Sequence, residues 1–276
     1  MRRLTVFSFL MVFPLMLALQ GCGLSSTEGQ LTGVQGRESW RHPQPYGTVY
    51  VPTGSYKMGQ SDQDVVYART ARPKQVSVKA FFMDDTEITN NEYRQFVYWV
   101  RDSIAKEQIG GEHIEETESG TRLNWEKEIE WGSQEVQDMT ADLRYQGDNK
   151  LDQKGGVNTG KLVYNYKWMD LHEAAKRKYI GKDVDRSKFI NEEEIKIYPD
   201  TLAFIRDFTY SYKDPMAKLY LSHPGYDDYP VVGVDWHQAE AFASWRTDQL
   251  NSYYSSIGYP DVNPYRLPTE AEWQSA

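Results

Sequence analysis

The sequence predicts an α+β fold, irregular and loop-rich, with short strands and a few helices. Three observations predict it. Short runs at Gly47–Val51, Tyr56–Met58 and Gln75–Lys79 alternate apolar and polar residues, as half-buried strands do. Helix starts are few but explicit: Thr89 with Glu92, Asp235 with Gln238, and Thr269 with Glu272 each carry the spacing of a capping box. Between the first two lies a polar, charged stretch over about 101–198, punctuated by Gly110, Gly111, Gly120, Gly147, Gly155, Gly156 and Gly160.

The N-terminus carries its own signal. Arg2 and Arg3 precede an apolar run from Leu4 to Leu19, broken only by Thr5, Ser8 and Pro14. That run is short for a membrane span, which needs roughly 20 apolar residues, and reads as an export signal over 1–21. It ends at Gly21 and Cys22, a small residue before a cysteine, which resembles a bacterial lipobox. The resemblance implies cleavage between Gly21 and Cys22 and lipidation of Cys22, which would hold the chain at an outer-membrane surface without spanning it. Gly23 follows Cys22, with no dense acidic run, so a periplasm-facing location is expected. Residues 22–45, rich in Gly, Ser, Thr and Gln, read as a flexible tether. Residues 46–276 read as one domain with 101–198 inserted in it.

Composition narrows the function classes. The chain has 276 residues, 39% hydrophobic and 26% charged, enough to bury a core. Formal net charge is −9, and it falls by two more units without Arg2 and Arg3. No basic run interleaved with aromatics occurs, so nucleic acid is not an expected partner. The 20 Tyr, 8 Trp and 10 Phe suit both a compact irregular core and a contact surface. With a single cysteine, no internal disulfide is available.

Taken in order, a strand at Gly47–Val51 turns at Pro52–Gly54 into a second at Tyr56–Met58. The alternation at Gln75–Lys79 runs on into Ala80–Met83 as a strand continuation. Asp84 and Asp85 turn the chain, and Thr89 opens a helix whose Tyr93, Phe96, Val97 and Val100 share one face. Within 101–198, the best helical pattern is Asp170–Tyr179, and Ile195–Tyr198 reads as a strand. Asp200–Asp207 fits a strand or a short helix equally. His223–Gly225 is a turn, Pro230–Val234 a β-rich apolar run, and helices start after Asp235 and after Thr269. The last of these is too short to hold itself in water, so packing partners beyond Ala276 are expected.

These motifs resemble the formylglycine-generating-enzyme (sulfatase-modifying factor) domain family. Met58 and Gly59 match its F-x-M-G opening. Glu87, Thr89 and Asn90 match its E-V-T-N segment, and Pro230–Trp236 its P-V-V-x-V-S-W string, with Asp235 in place of serine. Arg266, Leu267, Pro268, Thr269, Glu270, Glu272 and Trp273 are similar to its most diagnostic string. The resemblance implies a C-type-lectin-like core, incomplete here at the C-terminus, in which these residues are structural. Tyr198–Tyr212 and His223–Val234 further resemble the lipidated GldK/PorK-type members of the family, found in gliding motility and type IX secretion. That implies a periplasmic ring, self-associated and built with a PorN/GldN-type protein, on the outer membrane.

The family's enzymes oxidise a substrate cysteine with two copper-binding cysteines in the C-terminal part of the domain. Here the one cysteine is Cys22, expected to carry lipid, so no thiolate remains for catalysis and no cofactor is expected. His42, His113, His172, His223 and His237 lack metal-ligand spacing. Asp227 and Asp228 read as a turn in preference to a Ca²⁺ loop, and Glu270 and Glu272 as structural in preference to an acid–base pair. The expected function is a non-catalytic secretion scaffold. A truncated oxidase acting on sulfatase cysteines and a ligand-binding outer-membrane lipoprotein stay open as alternatives.

Overall fold

The computed structural model describes residues 42–59, 72–117, 120–147, 156–181, 184–207, 209–211 and 219–276, and the chain from Gln44 to Ala276 forms one unit. The export signal, the lipobox and nearly all of the tether lie outside the described residues. Helices and short strands are mixed, every sheet has two strands, and no closed barrel forms among the described residues.

β1 (Thr48–Val51) pairs antiparallel with β4 (Phe81–Asp84), and β2 (Gly54–Met58) with β3 (Lys74–Val78), so one pairing nests within the other. The continuous strand expected from Gln75 to Met83 is therefore two strands in two sheets. The break falls at Lys79 and Ala80, where the Ala80 N–H donates to the Thr53 hydroxyl at 3.0 Å instead of to a ladder. α1 (Asn90–Ile109) starts at Thr89 with a complete capping box, and its Tyr93, Phe96, Val97 and Val100 are all buried, as the periodicity requires.

α1 runs nine residues into the stretch read as an insertion. Lys106 in its last turns is buried, donating to the carbonyls of Asn124 (2.6 Å) and Lys127 with Trp125 above it, which ties the following loop to the helix. Next come the hairpin β5 (Ile114–Thr117) and β6 (Gly120–Leu123), and the short helix α2 (Gln134–Met139). β7 (Val163–Met169) then pairs antiparallel along its whole length with β8 (Ile190–Lys196). β8 thus begins five residues before the strand read at Ile195–Tyr198, and its acidic centre hid it from hydrophobic patterning.

The helix expected at Asp170–Tyr179 shrinks to α3 (Leu171–Ala174), capped by Asp170, followed by a 3₁₀ turn at Arg177–Tyr179. Lys176 is extended there, and the turn places the Tyr179 ring edge-on to Phe189 at 5.0 Å. Leu171 stays exposed, so the predicted apolar face buries nothing and aromatic packing decides the local structure. Asp200–Asp207 resolves as helix, α4 (Ala203–Asp207).

Pro230–Val234 is not a strand. Only Pro230 bridges, to Thr89, and the Val231 N–H donates to Ile88 O at 2.9 Å. Gly233 then turns with φ +83°, where a side chain's Cβ would stand 2.4 Å from Asp200 O. That left-handed turn ends any extended pairing. α5 (Trp236–Ser256) follows under a second complete capping box, and α6 (Glu270–Ser275) under a third.

The core sits where α1, α5 and the β7–β8 hairpin meet. Phe96, fully buried, touches the rings of Tyr93, Tyr164, Phe242 and Trp245 at centroid distances of 5.2 to 5.8 Å. Ala105, Leu143, Leu162, Tyr164, Tyr166, Ile195 and Ile197, all from the stretch read as an insertion, belong to the same core. The stretch completes the domain's interior in addition to decorating it.

Candidate functional site

The described motif residues other than Trp236 gather in two places, while Gly21 and Cys22 lie outside the described residues. The first place is the start of α1. Thr89 caps through Glu92, whose carboxylate takes the Thr89 N–H at 2.8 Å and its hydroxyl at 3.0 Å. Asn90, fully buried, donates its side-chain amide to Tyr226 O at 2.8 Å and its backbone N–H to Tyr229 O at 2.9 Å. The Asn91 N–H donates to Asp227 O, and Arg94 pairs with the Asp227 carboxylate and with Leu221 O. This clamp seats the loop ahead of α5. It also spends the Asp227 carboxylate on Arg94, so the Asp227–Asp228 pair is a turn fastened by an ion pair. Glu87 is exposed at the edge of the clamp.

The second place is the β2–β3 hairpin under α6. Met58 ends β2, and Gly59 (φ +139°) lets the backbone pass Pro73, whose Cα would be 3.0 Å from any added Cβ. The Tyr56 hydroxyl donates to Ala271 O at 2.7 Å. Arg266 forks onto Glu272 with contacts of 2.8 and 2.6 Å, while Glu272 also takes the Thr269 N–H and hydroxyl. The Arg266 hydrogen bonds hold the Glu272 carboxyl down at about 2, against partial burial, with Thr269 adding to the effect. Glu270 accepts from Gln274, and Leu267 and Trp273 face solvent. α6 packs on the β2–β3 hairpin, with the Tyr56 hydroxyl reaching across 215 residues of chain to Ala271.

Asp235 replaces serine without loss of the cap: its carboxylate takes the Gln238 N–H at 2.8 Å, and the Gln238 side chain returns to the Asp235 N–H at 3.0 Å. Gln238 also donates to Lys196 O and Tyr198 O, joining the helix start to the end of β8. Tyr198, Asp200, Gly233, Val234, Asp235 and Gln238 line an open cleft of about 370 Å³. Trp236 stands exposed beside it, edge-on to His237.

Two groupings escaped sequence reasoning. Arg246 on α5 forks onto Asp84 at 2.7 and 2.8 Å and lies 4.4 Å above the Tyr265 ring, tying β4 to the segment before α6. No spacing signal announces a pair 162 residues apart. On the other side of α5, His237 Nδ1 approaches Glu193 Oε1 at 3.1 Å, and the Tyr166 hydroxyl donates to Glu193 at 3.3 Å. Burial and the Glu193 charge push the Tyr166 hydroxyl up to about 12, and burial raises the nearby Glu240 carboxyl. The charge run Glu192–Glu194 was the one visible sign of this patch. Among the described residues no group of His, Cys, Asp or Glu is placed to hold a metal ion.

A family description, the sulfatase-modifying factor enzyme 1-like domain, matches residues 37–276. No curated protein matches the chain.

Proposed function

The chain belongs to the sulfatase-modifying factor enzyme 1-like domain family, and on that premise we propose that it uses the domain as a non-catalytic scaffold. At the finer level, the core is read as C-type-lectin-like. The chain is read as a lipoprotein anchored through Cys22 to the periplasmic face of the outer membrane. There it forms, with a PorN/GldN-type protein, a ring of the type IX secretion and gliding machinery.

One observation carries the scaffold reading. Several polar side chains at the family motifs are spent on local partners: Thr89 on Glu92, Asp235 on Gln238, and Arg266 and Thr269 on Glu272. Side chains committed to caps and ion pairs hold elements in place, which is the work of a scaffold. The lipobox supports the membrane anchor, since the one cysteine of the sequence sits in it. The resemblance of Tyr198–Tyr212 and His223–Val234 to the GldK/PorK-type lipoproteins supports the machine. Exposed Trp236 and Trp273 suit a contact surface.

Chemical crosslinking in intact cells, then purification from outer membranes and mass spectrometry, tests the reading. A crosslinked assembly with a periplasmic partner is expected, with Cys22→Ser releasing the chain from the membrane. A lone monomer overturns the ring. Conversion of a peptide cysteine to formylglycine by the purified chain overturns the scaffold.

A further inference from the structure

We propose that the outer edge of β8 accepts an extended, basic segment of a partner protein as a third strand of the β7–β8 sheet. The direction of the backbone groups comes from two hydrogen bonds at the ends of the ladder. The Ile197 N–H donates to Leu162 O at 3.1 Å, and the Asp170 N–H to Phe189 O at 2.8 Å. In an antiparallel pair such bonds alternate, so Ile195, Glu193 and Asn191 turn their backbone groups toward β7, while Lys196, Glu194 and Glu192 turn theirs outward. Lys196 O accepts from Gln238, which closes that end of the edge with α5. Among the described residues, no hydrogen bond reaches the outward backbone groups of Glu192 and Glu194. Unpaired edge groups of this kind are a template for strand addition.

The side chains select the occupant. Ile190, Glu192 and Glu194 share one face with Met169, Lys167 and Asn165 opposite them. Ile190 and Met169 are exposed, at 46% and 42%. Glu192 is partly neutralised by Lys167 at 3.3 Å, whereas Glu194 forms no ion pair among the described residues. An added strand would thus set an apolar side chain beside Ile190 and cationic ones beside Glu192 and Glu194. A second copy of this edge fits badly, because antiparallel self-pairing sets Glu192 against Glu194, and like charges directly opposite are destabilising. Contacts on the hairpin's other face, His237 to Glu193 and the core placement of Tyr164 and Tyr166, hold the edge rigid for binding. The edge would take such a strand whether or not the chain is part of an export machine.

The test uses the full chain and a labelled nine-residue peptide in which lysine alternates with threonine and valine occupies one end. Fluorescence anisotropy at low salt compares it with an isomer that has its lysines in one block. Saturable binding is expected for the alternating peptide, with the blocked isomer at least about tenfold weaker, since a strand presents alternate side chains to one face. Glu194→Pro removes one outward N–H without touching the β7 ladder, and is expected to weaken binding about tenfold at an unchanged thermal transition. The double variant Glu192→Lys, Glu194→Lys is expected to prefer a peptide with glutamate in place of lysine. Equal binding of the two isomers, or undiminished binding by both variants, overturns the proposal. So does a concentration-dependent dimer of the chain that the peptide dissociates.

Discussion

Gly233 shows what one residue can decide. Its φ of +83° and the approach of Asp200 O leave no room for a side chain, and the Asp200 N–H donates to Gly233 O at 2.8 Å on the same contact. Gly233→Ala is expected to cost about 3 kcal/mol in urea denaturation, from left-handed backbone strain plus overpacking. Glu272 acts electrostatically at the same scale. Its carboxyl lies at about 2 in the folded chain against an ordinary 4.5, held there chiefly by Arg266. A depressed acid stabilises fully above the unfolded value and loses that contribution as pH falls through the folded one. The cap of α6 should therefore weaken between about pH 4.5 and 2, read from the amide shifts of Ala271 and Trp273. Glu272→Gln should remove this dependence, and a transition centred at the ordinary carboxylate value would contradict the assignment.

At the scale of elements, helix starts were legible and helix ends were not. Capping boxes are local chemistry, so Thr89, Asp235 and Thr269 marked α1, α5 and α6 correctly from sequence alone. Because serine caps as well as aspartate, Asp235→Ser is expected to be neutral within about 0.5 kcal/mol, while Asp235→Ala costs about 1 kcal/mol. Thermal melts of the two variants side by side check this. Where a segment's fate depends on remote partners, pattern reading failed. Residues 170–179 have a helical pattern, yet Tyr179 leaves it to pack on Phe189. Strand β8 is acidic through Glu192, Glu193 and Glu194, and is a strand because β7 pairs with it. α6 spans six residues, too few to persist alone, and is placed by Tyr56 and the Arg266–Glu272 fork.

At the scale of the whole molecule, the stretch 101–198 is where expectation and structure differ most. Its glycines and charges read as an insertion, but Leu143 and Leu162 are almost wholly buried in the core that α1 and α5 share. If the stretch were a peripheral arm, Leu143→Ala would leave the core intact. Its packing instead predicts a loss of about 2–5 kcal/mol, in the same cooperative transition that Phe96→Ala lowers by about 3–5 kcal/mol. Near-UV circular dichroism and tryptophan fluorescence should report one coincident transition for both variants. A separate early transition in Leu143→Ala would show the stretch to be an independent unit.

By itself the sequence determined the α+β class, the three capped helix starts, the buried face of α1, and the motifs that mark the family. All of these rest on contacts within a few residues or on matched strings. Only the tertiary structure decided that the Gln75–Met83 run divides between two sheets, and that Pro230–Val234 bends at Gly233. It alone seated α6 on the β2–β3 hairpin, paired Asp84 with Arg246, and drew the charged stretch into the core. Each of those joins partners dozens to hundreds of residues apart. Burial and pairing at such distances outweigh local propensity, and the local pattern carries no record of them.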